Sequence, residues 1–87
     1  MTVYYRPRFL RVFRRFDPQI QKRIKQHIAL FEQDPFDHKL NTHSLHGKLK
    51  GFWSFSVGGG NRVLFQFLDK RKDKSVFLDV GDHSIYR

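Results

Sequence analysis

The chain has 87 residues, too few for two ordinary domains, and reads as one domain spanning residues 1–87. Its 17 Lys and Arg against 8 Asp and Glu leave a formal charge of +9, which calls for an anionic partner: nucleic acid, a membrane surface or an acidic protein. No segment approaches the roughly 20 apolar residues of a membrane span, the arginine-broken start MTVYYRPRFLRVFRR is unlike a signal peptide, and zero cysteines exclude disulfides and thiolate metal sites and fit a reducing cytoplasm.

Thr2 to Tyr5 is β-branched and aromatic, and predicts a strand. Pro7 permits a helix start, and Phe9, Val12, Phe13 and Phe16 recur at helical spacing between Arg8, Arg11, Arg14 and Arg15. Asp17-Pro18 is an N-cap and first-turn pair for a second helix. Its apolar stripe is Ile20, Ile24, Ile28 and Phe31, with Gln21, Lys22, Arg23, Lys25 and Gln26 toward solvent. Asp34-Pro35 stops it, which makes a helical hairpin. Residues 35 to 51 lack periodicity and read as a loop with at most a helical turn. Phe52 to Val57 then alternates, with Trp53, Phe55 and Val57 on one face and Ser54 and Ser56 on the other. Gly58-Gly59-Gly60-Asn61 is a positive-φ turn. Arg62 to Leu68 and Ser75 to Val80 are strands joined by a charged tip at 69–74. The order β-α-α-β-β-β predicts an α+β fold, a helical hairpin on one face of a small, mainly antiparallel sheet.

Several residue groups have the chemistry to meet an anion. The arginines between 8 and 15 suit phosphate or acidic-protein contact, or a merely solvated helix face. Lys48 and Lys50 share parity ahead of a strand, and point the same way if the extended backbone reaches back that far. Trp53 either stacks on a base or packs in the core with Phe55 and Val57. Arg62 opens an apolar strand, so it must pair, reach solvent or hold a ligand such as a phosphate. Among the histidines, His27 reads as structural. His38, His43 and His46 are spaced too loosely, and with too few acidic neighbours, to predict a metal site. His83, in Gly81-Asp82-His83, has the chemistry of a general acid or base.

In this order, Leu45-His46-Gly47, Gly51-Phe52-Trp53-Ser54-Phe55, Asn61-Arg62-Val63-Leu64-Phe65 and Asp79-Val80-Gly81-Asp82-His83-Ser84-Ile85-Tyr86 resemble the RelE/ParE superfamily of bacterial type II toxins. The likeness is greatest to its RelE- and YafQ-like members and covers nearly the whole chain. It implies a ribosome-dependent endoribonuclease that cuts mRNA in the A site, with no metal or other cofactor. The RNA 2′-OH attacks the adjacent phosphate and the 5′-oxygen leaves. The implied partners are an acidic cognate antitoxin, bound in a hetero-oligomer, together with mRNA and ribosomal RNA. The implied location is the cytoplasm, with no membrane contact.

Position by position, the resemblance gives Arg62 the scissile phosphate, and makes His83 and Tyr86 the C-terminal site residues. It gives His43 or His46 the place of an upstream histidine, His43 being the closer by spacing. Lys48, Lys50, His46 and Trp53 are the implied RNA contacts, and His83, Arg62, His43 and Tyr86 the implied catalytic set. The chain departs from YafQ-like members at Ser56, where they carry histidine, and at Gly60, where they carry an acidic residue. RelE places two lysines near Trp53 and Phe55, and these are absent here. Two other readings follow: a ParE-like toxin that binds gyrase without nuclease activity, and an inactive relative that binds only its antitoxin or RNA.

Overall fold

A computed structural model describes residues 1–86. Strand β1 (Thr2–Tyr5) leads into helix α1 (Pro7–Phe13), whose first turn takes the proline. Helix α2 (Pro18–Gln33) begins where the Asp17 carboxylate accepts a hydrogen bond from the Ile20 amide at 3.0 Å. It ends at Asp34, before Pro35. The first helix is shorter than its apolar spacing predicts, because residues 14–16 turn away after Phe13. Gln21 explains how that early end is tolerated. Its side-chain amide donates to the carbonyls of Phe13, Arg14 and Phe16 at 3.2, 3.3 and 3.0 Å. The Phe13 carbonyl also accepts from the Phe16 amide at 3.2 Å, and Gln21 adds a partner there and at the Arg14 and Phe16 carbonyls of the helix end, so Gln21 is a tie between helices and not the solvent-facing residue that its place suggests.

The loop at 35–51 is more ordered than its sequence shows. It holds two 3-10 turns, His38–Leu40 and Gly47–Leu49, and between them a two-residue strand, β2 (His43–Ser44). Strands β3 (Trp53–Gly58), β4 (Asn61–Phe67) and β5 (Lys74–Gly81) follow, and a last 3-10 turn covers His83–Tyr86. The sheet order is β1-β5-β4-β3-β2. Only β1 with β5 is parallel, with Thr2 opposite Lys74 and Tyr5 opposite Phe77. The other three pairs are antiparallel. Gly58, Gly59 and Gly60 all have positive φ (83°, 62° and 79°), which lets β3 reverse into β4.

The alternation in β3 sorts the sheet into two faces. Phe55 and Val57 are fully buried against the helices, with Val63, Phe65, Phe77 and Val80 from the neighbouring strands. Phe9 of α1 and Ile24, Ile28 and Phe31 of α2 complete this core. Phe31 sits at its centre, stacked on Phe55 at 4.7 Å and edge-on to Phe65 and Phe77 at 5.0 and 5.2 Å. Each such ring contributes roughly 1.5–3 kcal/mol by burial. Ser54, Ser56, Arg62 and Leu64 belong to the other face, because residues opposite one another in a ladder share a face.

Candidate active site

The pairing register assembles a polar row on the face away from the helices. His43 lies opposite Ser54, and Ser54 opposite Leu64; Ser56 lies opposite Arg62, and Arg62 opposite Gly81. Residues from three strands therefore converge although 19 positions separate His43 from Arg62 (62 − 43). They line an open cleft of about 150 Å³, together with Asn41, Gly60 and Asn61.

The last 3-10 turn closes over one side of this row. Asp82 caps it, accepting from the Ser84 amide at 2.9 Å. Tyr86, at its far end, donates its phenol hydrogen to the buried Ser54 hydroxyl at 2.6 Å. The Tyr86 ring then lies 5.6 Å from the Arg62 guanidinium carbon, in cation–π range. Among the described residues Arg62 makes no ion pair. No carboxylate of the described residues comes within ion-pair distance of its five N–H donors, which suits two parallel bonds to a phosphate.

His43 has a defined tautomer. Its Nδ1 lies 2.8 Å from the Asn41 carbonyl oxygen. A carbonyl only accepts, so Nδ1 carries the hydrogen and neutral His43 offers its lone pair at Nε2. Asn41 makes this possible by adopting a left-handed conformation, φ 48°, which asparagine tolerates better than most residues. His83 heads the last turn and is exposed. It is not part of the cleft lining. Its neighbour Asp82 caps the turn. Hydrogen bonds from Ser84 hold that carboxyl below the usual carboxylate range, and the charges of His83 and Arg62 lower it further.

Of the residues singled out in the sequence, the structure thus brings together His43, Arg62 and Tyr86, with His83 on the adjoining turn. His46, Lys48 and Lys50 are exposed on the segment that leads from β2 to β3. The extended backbone does not reach back to Lys48 and Lys50, because Gly47–Leu49 is a 3-10 turn, so the condition for their shared direction is not met. Trp53 belongs to the opposite face. It meets Phe36 and Phe67 edge-on at 5.8 and 5.1 Å, so it takes no part in the cleft. The described residues contain no group of three or more His, Cys, Asp or Glu that could hold a metal ion. His27 is structural, its Nδ1 donating to the Arg23 carbonyl at 2.8 Å.

On α1, Arg8 pairs with Asp79 of β5 at 3.0 Å and keeps a 64% exposed side chain; such a pair contributes about 0–1 kcal/mol. Arg11, Arg14 and Arg15 remain exposed. Sequence reasoning missed Asn41, Asn61 and the partnership of Ser54 with Tyr86. The parity of Ser54 with Ser56 was the one available signal.

No family model matches the sequence, and no curated protein does. Solved structures match over nearly the full length. The YoeB/ParE toxin from Agrobacterium tumefaciens aligns with 16% identity over 95% of this chain and 99% of its own, TM-score 0.77. YafQ from E. coli strain BL21(DE3) aligns with 19% identity over 97% and 94%, TM-score 0.69. A chain of the intact E. coli RelBE toxin–antitoxin complex aligns with 15% identity over 93% and 94%, TM-score 0.68. Two helices packed on a mixed five-stranded sheet, matched over nearly the whole length by these structures, give this chain the fold of the YoeB/ParE, YafQ and RelE toxins.

Proposed function

We propose that the chain is the toxin of a type II toxin–antitoxin pair and that it inhibits translation by cutting mRNA on the ribosome. The observation that carries this reading is the cleft beside Arg62: a guanidinium with no ion pair among the described residues, with Tyr86 over it and the free Nε2 of His43 on the same face. In-line attack by a ribose 2′-OH on the next phosphate needs three things: a base to take the 2′ proton, a cation for the phosphorane, and an acid for the departing 5′-oxygen. Arg62 supplies the cation. His43 and His83 supply the proton-transfer pair, and Tyr86 holds Arg62 in place from above. His46, Lys48 and Lys50 lie on the chain segment next to His43 and contact the RNA backbone. No step of this chemistry requires a metal.

The nearby exposed arginines Arg11, Arg14 and Arg15 suit an acidic antitoxin, and the fold's relatives include toxin–antitoxin complexes such as RelBE. The substrate and the ribosome place the reaction in the cytoplasm. Ser56 and Gly60 carry no ionisable group, so the acid–base work falls on the two histidines.

Induced expression tests the reading. Protein synthesis should stop and reporter mRNA should shorten. Arg62→Ala and His83→Ala should each relieve growth arrest while antitoxin capture is retained, with cleavage rates lowered by about 10²–10³ for Arg62→Ala. Inhibited DNA supercoiling with intact mRNA would replace this reading by a gyrase-directed one. Full toxicity of both variants would remove these residues from the site.

A further inference from the structure

A second cationic surface lies on the opposite face of the sheet. Past the end of α2, Phe36 stacks on Phe67 at 5.9 Å and meets Trp53 edge-on, yet stays 48% exposed. The tip between β4 and β5 brings charge to these rings. Lys72 has φ 59°, a left-handed conformation that turns its ammonium back to 5.8 Å from the Phe67 ring and 6.0 Å from Trp53. The tip's carboxylates, Asp69 and Asp73, do not cancel its four cations, Lys70, Arg71, Lys72 and Lys74. Asp69 is engaged with its own backbone, accepting from the Asp73 and Lys74 amides at 2.9 and 3.1 Å. Lys70, Arg71 and Lys74 are exposed beside Lys72.

We infer that Phe36, Trp53 and Phe67, with the basic tip at 70–74, form a second RNA-binding surface that takes an unpaired nucleotide and its flanking phosphates. It is separate from the cleft at Arg62, and it rests on the RNA reading of the chain but not on cleavage. The occupant must offer a flat apolar group and negative charge within one side-chain length. A nucleobase with its phosphates does so: any base presents a π face to an aromatic ring, and lysines accept any phosphate. An acidic peptide satisfies the charge but gives the half-exposed Phe36 ring nothing flat to hold. With its aromatic floor and point charges, the surface grips RNA without reading its sequence, which suits a clamp on ribosomal or messenger RNA.

Trp53 is the chain's single tryptophan, so its emission reports on this surface directly. The intact protein is titrated with a 2′-O-methyl oligoribonucleotide, which no 2′-OH chemistry can cut. Emission should change saturably, and should do so in Arg62→Ala as in the unaltered protein. Phe36→Ala, an exposed position whose loss leaves the core intact, should weaken the titration about 5- to 150-fold. Lys70→Ala/Arg71→Ala/Lys72→Ala should flatten the dependence of log affinity on log salt by about 2. Unchanged emission while anisotropy reports binding would overturn the inference. So would unaltered affinity in both variants, or a response to polyglutamate but not to RNA. A protein that cuts nothing would still give this titration, so the failure of cleavage and the failure of this surface are separable.

Discussion

Toward the helices, β3 and β4 present Phe55, Val57, Val63 and Phe65 at essentially no exposure; on the other face the same two strands present Ser54, Ser56 and Arg62. Neighbouring residues therefore serve opposite ends. One parity holds the fold together, and the other is free to carry charge and hydroxyls into an open cleft. Arg62 is next in sequence to the fully buried Val63, yet it lines the open cleft. A strand is the element that allows this, because its side chains alternate strictly between faces. Substitutions should accordingly separate into those that unfold the protein and those that only silence it.

The largest separation is expected at Phe31. Phe31→Ala empties the centre of the aromatic core and should cost about 3–5 kcal/mol in chemical denaturation. A loss under about 1 kcal/mol would show that the core is not organised around this ring. Arg62→Ala should do the reverse, keeping stability within about 0.5 kcal/mol while cleavage falls by about 10²–10³. A comparable loss of stability would break the division between faces.

Tyr86→Phe comes next. It removes the donor to buried Ser54 and should cost about 1 kcal/mol, with Ser54→Ala giving a similar loss and the double variant little more than either. Additive losses would mean that the 2.6 Å contact is not what ties the last turn to the sheet. The smallest effect concerns pH. The Asp82 carboxyl titrates below its ordinary range when folded, so its support of the turn is complete above the unfolded value and lost as pH falls through the folded one. Protection of the Ser84 amide from exchange, taken relative to an unstructured peptide at the same pH, should fall in that acidic window, and Asp82→Ala should remove this pH dependence of the protection.

Much of this architecture was legible in local chemistry. The β1 bounds, the Asp17 cap, the parity of β3 and the glycine turn each depend on residues within a few positions of one another. What escaped depends on contacts across the chain. Strand β2 has two residues, too few to show a period, and exists because His43 and Ser44 pair with Ser54 and Trp53. That pairing brings His43, not His46, to the cleft. Arg62 stood out because a charge at the head of an apolar strand needs a reason. Tyr86 did not reveal its partner, which lies 32 positions away. Trp53 shared the parity of Phe55, and only the loop residue Phe36 shows that its neighbourhood is partly open.

The parallel pairing of β1 with β5 has a consequence for the order in which the molecule is made. TVYY is synthesised about 70 residues before its strand partner β5, with Thr2 waiting for Lys74 and Tyr5 for Phe77. Such long-range closure is slow, and it cannot begin until the partner has left the ribosome. Gly81, which lies opposite Arg62, and Tyr86, which covers it, emerge later still. Until they do, Arg62 lacks its β5 neighbour and the ring that lies over it. Whatever binds beside Arg62 therefore meets a finished surface only on a chain whose last strand and final turn have already closed onto the sheet.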